Sequence, residues 1–288
     1  MTAHTLTHAG ALASFPEARI ETARRTIGYR EAGATHLRTL PVVLLHGIGS
    51  GAASWVRQME ALGATRRVLA WDAPGYGAST PVAAASPVAA DYAAALADWL
   101  DALDIERCVL VGHSLGAIIG GAFAARHASR VAGLLLVSPA GGYGAASAEE
   151  REAKRDARLA MLAELGPRGL ADTRSANMLS AHASDEARDW VRWNMARIVP
   201  HGYAQATHLL ANADLAADLQ GYRGRVAVAV GADDAITPPA ACERIANVAG
   251  VSLQVIPHAG HAGYVETPAA YTTLIDAFCG AGDAQRSN

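Results

Sequence analysis

Cysteine is scarce in this chain, which has three in 288 residues. They are Cys108, Cys242 and Cys279, an odd number without C-x-x-C spacing. This pattern fits neither a disulfide framework nor a structural zinc site. The H-E-x-x-H signature of zinc enzymes is missing as well. We therefore predict no metal ion and no cofactor.

Excess charge of one sign and long apolar runs are also missing. The chain carries 24 Lys and Arg against 27 Asp and Glu, a net charge of −3, so nucleic acid and anionic membranes are not expected as partners. No run approaches the roughly 18 apolar residues of a membrane span, and the N-terminus lacks a basic start followed by an apolar core. We expect a cytoplasmic protein that acts on a small-molecule substrate. The sequence leaves the oligomeric state open.

Two kinds of apolar segment alternate along the chain. Ala- and Leu-rich stretches with helical spacing, such as 87–103 and 117–127, separate short runs that are apolar enough to be buried strands. The short runs are residues 42–45, 67–71, 108–111, 131–137, 225–230 and 251–256. This alternation predicts an α/β fold with a parallel, doubly wound sheet. Residues 18–32 alternate like an edge hairpin, which gives a mostly parallel sheet of about eight strands.

Residues 141–218 break this alternation. The segment has no strand-like run and contains three charged helical stretches, separated at Gly166-Pro167 and near Pro200. We predict a helical cap inserted after the sixth strand, above the strand ends where α/β proteins bind ligands. The core would then consist of residues 1–140 and 219–288. The alternative is that these helices merely pack beside the sheet.

A polar residue interrupts the apolar stretch VLVGHSLGAII at 109–119. Ser114 lies there between Gly112 and Gly116. This pattern is typical of a sharp strand-to-helix turn that exposes a serine hydroxyl at the end of a sheet. An ordinary glycine-containing loop is the alternative, because G-x-S-x-G also arises by chance in a glycine-rich chain.

Other polar turns follow the neighbouring predicted strands. The turn at 46–49 is rich in glycine and can leave backbone N–H groups free to bind a ligand. The pair Asp233-Asp234 follows the strand at 225–230, and His261 follows the last strand. A nucleophile, an acid and a base thus occur at the same end of successive strands, in the order Ser, Asp, His.

Five motifs occur in a fixed order along the chain: LLHGIGSG, WDAPGYGAST, LVGHSLGA, GADDAITPP and HAGHAGYVETP. In order and spacing they resemble the motifs of the α/β-hydrolase superfamily, over residues 16–278. The resemblance implies an α/β-hydrolase fold with Ser114 as nucleophile, His261 as base and Asp234 as the acid that orients it. It also implies an oxyanion hole formed by the backbone N–H groups of Ile48 and Leu115. The cap is similar to that of 3-oxoadipate enol-lactonases and related small-ester and C–C bond hydrolases.

The resemblance implies hydrolysis of a small carboxylic ester or lactone through an acyl-enzyme intermediate. C–C bond hydrolases share the triad, but they commonly carry Asn before the serine and Trp after the histidine, where this chain has His113 and Ala262. Cofactor-free perhydrolases and acyltransferases use the same triad. Some receptors of this fold only bind a ligand, and all these alternatives stay open.

Side chains near these motifs are candidates for contacting the substrate. They are His46, His113, Tyr143, Met178, Trp190 and Trp193. His46 is more typical of a residue that holds its own turn through backbone hydrogen bonds. The two tryptophans lie three residues apart on a predicted cap helix, so they fit a helix interface as well as a pocket wall. His258 is the local rival of His261 for the role of base.

Overall fold

The computed structural model describes residues 3–37 and 39–284, and its centre is an eight-stranded sheet. The strands are β1 (Ala18–Glu21), β2 (Thr26–Ala32), β3 (Val42–Leu45), β4 (Val68–Trp71), β5 (Cys108–His113), β6 (Val131–Val137), β7 (Val226–Gly231) and β8 (Leu253–Ile256). Their order in the sheet is β1-β2-β4-β3-β5-β6-β7-β8. The strands β1 and β2 form an antiparallel hairpin, and β2 pairs antiparallel with β4. All other pairs are parallel, which confirms the predicted mostly parallel sheet.

Helices connect the strands. They are α1 (Ala3–Ala13), α2 (Val56–Leu62), α3 (Ala89–Ala102), α4 (Leu115–Arg126), α5 (Ala148–Arg174), α6 (Asp185–Met195), α7 (Pro200–Asn212), α8 (Leu215–Gln220), α9 (Pro239–Ala249), α10 (Gly263–Glu266) and α11 (Pro268–Ala284). Short 3-10 helices occupy Ala52–Trp55, Ala128–Arg130 and Ser175–Met178. Among the described residues, no helix combines the length and the apolar character needed to cross a bilayer.

The strand β3 shows why helices cover both faces of the sheet. Its four residues are fully buried, and successive side chains of a strand point to opposite faces. Val42 and Leu44 belong to one core cluster, with residues of α2 and α11. Val43 and Leu45 belong to the other, with residues of α3 and α4. An all-apolar strand therefore requires a helical layer on each side.

The predicted helical insertion after the sixth strand is present, as α5 to α8 lie between β6 and β7. The hydroxyls of Ser147 and Ser184 accept hydrogen bonds from backbone N–H groups at the starts of α5 and α6. A kink divides α5 at Gly166, whose φ of 60° leaves the helical path, and Pro167 follows it. The predicted boundary at 218 falls inside α8, which packs against α4 and α9. The division into a core unit and a cap unit remains a prediction.

The sheet order creates a crevice at β3. The next strand in the chain, β4, lies on one side of β3, whereas β5 lies on the other side. The order of the strands in the sheet therefore reverses at β3. In open α/β sheets the turns that leave such a switch point diverge and leave room for a ligand. The turns after β3 and β5 both begin at this position.

Candidate active site

Ser114 lies in a strained turn between β5 and α4. Its φ of 53° and ψ of −112° are unusual for a residue with a side chain, and its N–H donates to the Val137 carbonyl at 3.0 Å. The flanking glycines are required sterically. A Cβ at Gly112 would lie 2.5 Å from the carbonyl oxygen of Gly116, and one at Gly116 would collide with the carbonyl oxygen of Leu45. The turn therefore holds the serine at the end of the sheet.

Asp234 and His261 meet across the ends of β7 and β8. Nδ1 of His261 lies 2.9 Å from Oδ2 and 3.1 Å from Oδ1 of Asp234. The N–H groups of Ile236 and Thr237 each donate to Oδ1 at 2.9 Å. Burial alone would raise the pKa of Asp234, but His261 and the N–H of Thr237 lower it to about 2. An ionised carboxylate only accepts hydrogen bonds, so Nδ1 of the imidazole must carry a proton to donate to it. In the neutral ring Nε2 is then unprotonated. The neighbouring Asp233 is exposed.

His113 holds the loop that carries His261 through a hydrogen bond to its backbone. The Nε2–H of His113 donates to the His261 carbonyl at 2.8 Å, and the two rings lie 4.8 Å apart. Burial, together with the neighbouring His261, lowers the pKa of His113 to about 3. His113 is therefore a neutral support for the loop.

Ser114 and His261 line the same cavity, whose volume is about 780 Å³. The turn after β3 and the helices α5 and α6 also contribute to its wall. A volume of this size is typical of a small-molecule site.

The turn after β3 runs directly beside the serine. A Cβ at Gly47 would lie 3.1 Å from Cβ of Ser114. Within the described residues, the N–H of Ile48 has no acceptor, and its carbonyl accepts from the Tyr76 hydroxyl at 2.8 Å. Leu115 is the first residue of α4, and the first N–H groups of a helix lack partners inside the helix. Two free backbone donors thus border the cavity near Ser114.

Among the predicted substrate contacts, His46 lies outside the cavity wall. Its Nδ1–H donates to the Gly47 carbonyl at 2.8 Å, and its Nε2 accepts from the Ala73 N–H at 3.0 Å. Burial lowers the pKa of His46 to about 4. Both ring nitrogens are used in holding the turn.

The other predicted contacts divide into two groups. His113, Tyr143 and Met178 line the cavity. Trp190 and Trp193 do not line it. They lie 5.6 Å apart on α6 and pack against His8 of α1, at 4.5 and 5.2 Å between ring centroids. The face of α6 that lines the cavity carries Val191, Asn194 and Met195.

Sequence reasoning missed a group of positive side chains around the cavity. This cationic rim consists of Lys154, Arg158, Arg174 and Arg244. Only Arg158 is half-buried, and its guanidinium donates to the Tyr203 hydroxyl at 3.3 Å. Charged residues on a cap helix look like an ordinary solvated face, so the sequence carried no signal that these residues surround one site.

Sequence reasoning also missed a cluster of metal-ligating side chains. His182, Asp233 and His258 each offer one ligand atom, and these atoms lie within 4.8 Å of one another. They come from the segment before α6, the turn after β7 and the loop after β8. Because they are far apart along the chain, no spacing rule could have joined them.

Comparison with known proteins shows the family to which this chain belongs. The sequence model of the alpha/beta hydrolase family matches residues 42–273 of this chain. RutD of Variovorax paradoxus (strain S110), assigned as a carbamate hydrolase, is 33% identical over 243 residues, which cover 82% of this chain and 90% of RutD.

Two solved structures show the same fold. A thermophilic esterase from Thermogutta terrifontis matches with a TM-score of 0.82 and 26% identity, over 93% of this chain and 99% of the esterase. The enol-lactonase from Burkholderia xenovorans LB400 matches with a TM-score of 0.80 and 24% identity, over 91% of this chain and 99% of the lactonase. The chain therefore belongs to the alpha/beta hydrolase family and is a hydrolase.

Proposed function

We propose that this protein is a serine hydrolase that cleaves small carboxylic esters or lactones through an acyl-enzyme on Ser114. One observation carries the proposal. Asp234 holds Nδ1 of His261 at 2.9 Å, and His261 lines the same cavity as Ser114. The unpaired N–H of Ile48 and the helix-initial N–H of Leu115 border the same place.

The reaction follows from these positions. Ser114 is unreactive as a neutral alcohol, so Nε2 of His261 takes its proton while Oγ attacks the acyl carbon. The N–H groups of Ile48 and Leu115 bind the oxyanion, and loss of one such donor costs about 3–4 kcal/mol in a well-studied hydrolase. His261 then protonates the leaving alcohol, and a water activated by the same imidazole releases the acid. Asp234 stabilises the imidazolium in both steps.

The charge of the cavity wall narrows the substrate class. Among the described residues of the cavity wall, Asp214 is the one that carries a carboxylate, and this carboxylate accepts a hydrogen bond from the Ala217 N–H at the start of α8. Within the described residues, none of the four rim cations forms an ion pair. Unpaired guanidinium and ammonium groups are strong donors to carboxylates. We therefore favour an ester or lactone that carries a carboxylate.

Carbamates form a second candidate class, because RutD shares 33% identity over 82% of this chain. A carbamate carbonyl undergoes the same attack by a serine hydroxyl, and only the fate of the acyl group differs. The helical cap, whose α5 and α6 line the cavity, would select among these substrates by shape.

A substrate panel tests this proposal. Short esters, lactones and carbamates are each supplied in a carboxylate-bearing and a neutral form, and steady product release is measured. A fluorophosphonate probe, followed by peptide mapping, locates the reactive serine. We expect turnover of an ester or lactone and labelling at Ser114. Absence of turnover, together with absence of labelling, would favour a ligand-binding protein of this fold.

A further inference from the structure

We propose that His182, Asp233 and His258 form a binding site for a divalent first-row transition-metal ion, with Zn²⁺ as the reference ion. The three side chains are exposed, and their ligand atoms lie within 4.8 Å of one another. The site lies outside the wall of the catalytic cavity, so the proposal stands independently of the proposed function.

The donor set matches such an ion. Two imidazole nitrogens and one carboxylate oxygen are the ligands that zinc and its neighbours accept in proteins, while magnesium and calcium prefer oxygen alone. Bonds of about 2.0–2.2 Å in a tetrahedral site place ligand atoms roughly 3.3–3.6 Å apart. Exposed side chains can close this gap by rotation. Water would complete the coordination shell.

The backbone beneath the three residues is already held in place. The N–H of Asp233 donates to the Ala259 carbonyl at 2.9 Å, which ties the turn after β7 to the loop after β8. The N–H of His182 donates to the Ser180 hydroxyl at 3.0 Å. Only the side chains therefore need to move when an ion binds.

Glu266 joins the other two segments. Its carboxylate accepts a hydrogen bond from the Gly260 N–H at 2.8 Å and from the Ser180 N–H at 3.1 Å. The rings of His182 and His258 consequently lie 4.5 Å apart in an edge-to-face arrangement. Two imidazoles brought together from distant segments form a preorganised half of the site.

Binding of an ion would clamp the cap segment to the two loops that carry the acid and the base. Asp233 precedes Asp234, and His258 lies on the loop of His261. The ion binds only when the three segments are assembled, so it stabilises the folded protein by mass action. Its role is to hold the cap segment in place, while the chemistry remains with the cavity.

Calorimetric titration of Zn²⁺ into the full chain, free of any histidine tag and stripped with a chelator, tests the proposal. We expect one site for each chain. His182→Ala, His258→Ala and Asp233→Asn should each weaken binding by about tenfold or more, since even an outer residue of a metal site is worth about 10–100-fold in affinity. The matched control is His201→Ala, which removes an exposed histidine from α7.

Thermal unfolding provides the second readout. Zn²⁺ should raise the melting temperature of the wild type, the His201→Ala control and Ser114→Ala, but not that of the three ligand variants. Melting temperatures in chelator check that every variant folds. Binding that is undetectable, or equally strong in the His182→Ala/His258→Ala double variant, would overturn the proposal.

Discussion

At the residue scale, two adjacent carboxylates have opposite surroundings. Asp234 is buried and accepts hydrogen bonds from His261, Ile236 and Thr237, whereas the side chain of Asp233 is exposed. In the sequence, the resemblance to the α/β-hydrolase motifs selected Asp234. Composition alone could not have separated the two, because the choice depends on the direction in which the turn after β7 sends each side chain.

This difference predicts an asymmetric effect of removing each charge. Asp234→Asn should lower kcat by about 10⁴-fold, because the amide leaves the imidazole in the wrong tautomer. Asp233→Asn should leave kcat close to the wild-type value. Both variants are measured on one substrate in buffer with a chelator, so that metal binding does not contribute. Equal losses would reassign the acid.

The kcat/KM should rise between pH 5 and 8 as the pH rises. His46 and His113 stay neutral there, because burial lowers their pKa values to about 4 and about 3. Asp234, with its pKa lowered to about 2, stays charged. Only a neutral imidazole can accept the serine proton, which is the role assigned to His261. A flat profile would contradict this assignment, and His113→Gln should leave the midpoint in place.

At the scale of elements, buried strands were the most predictable part of the fold. The strands β3 and β6 match their predicted bounds, because short apolar runs between turn residues suit strands that are buried on both faces. The strand β8 starts later than predicted. Gly250, with a φ of 69°, ends α9, and the N–H of Val251 still donates to the Ala246 carbonyl at 3.0 Å. The turn that ends α9 therefore occupies the residues that were predicted as the start of β8.

The cap helices were predictable as helices but not in their orientation. A pattern of 3.6 residues shows which residues of α6 share a face, yet it does not show which face meets the cavity. The tryptophan face packs on α1, and the opposite side carries Met195. A Cβ at Gly49 would lie 3.2 Å from Cε of Met195, so this side chain reaches the turn after β3.

Met195→Ala should therefore change acyl selectivity. Removing this side chain enlarges the cavity, and the ratio of kcat/KM for a longer acyl group to that for acetate should rise by about tenfold. Trp193→Ala is the control on the same helix, and it should lower the melting temperature without changing the ratio. The prediction fails if both variants change selectivity equally.

At the scale of the whole molecule, the sheet and the position of the polar turns followed from the sequence. Alternating strands and helices bring the ends of β3, β5, β7 and β8 to one edge, whatever the surrounding contacts are. Contacts between distant segments did not follow from it. The cationic rim combines residues of α5 and α9, and periodicity within one helix carries no information about the other.

The rim predicts a preference for negatively charged substrates. Arg158→Leu should lower kcat/KM for a carboxylate-bearing ester by about tenfold, in line with roughly 1.5–3 kcal/mol for a hydrogen bond to a charged group. It should leave a neutral ester of the same shape almost unaffected. Arg168→Ala provides the control, since Arg168 is exposed on α5 and lies outside the cavity wall. A parallel loss on both esters would mean that Arg158 serves only the packing of Tyr203.

The central claim is that chemistry begins at Ser114, and one comparison tests it most directly. The turnover of Ser114→Ala is measured against the wild type on the best substrate of the panel, with circular dichroism to verify the fold. The serine sits in a turn at the sheet's end, so the variant should fold, and its kcat should fall by several orders of magnitude, as for removal of other catalytic nucleophiles. A folded variant that keeps about a tenth of the wild-type kcat or more would contradict the account, because nucleophile deletions cost far more than this.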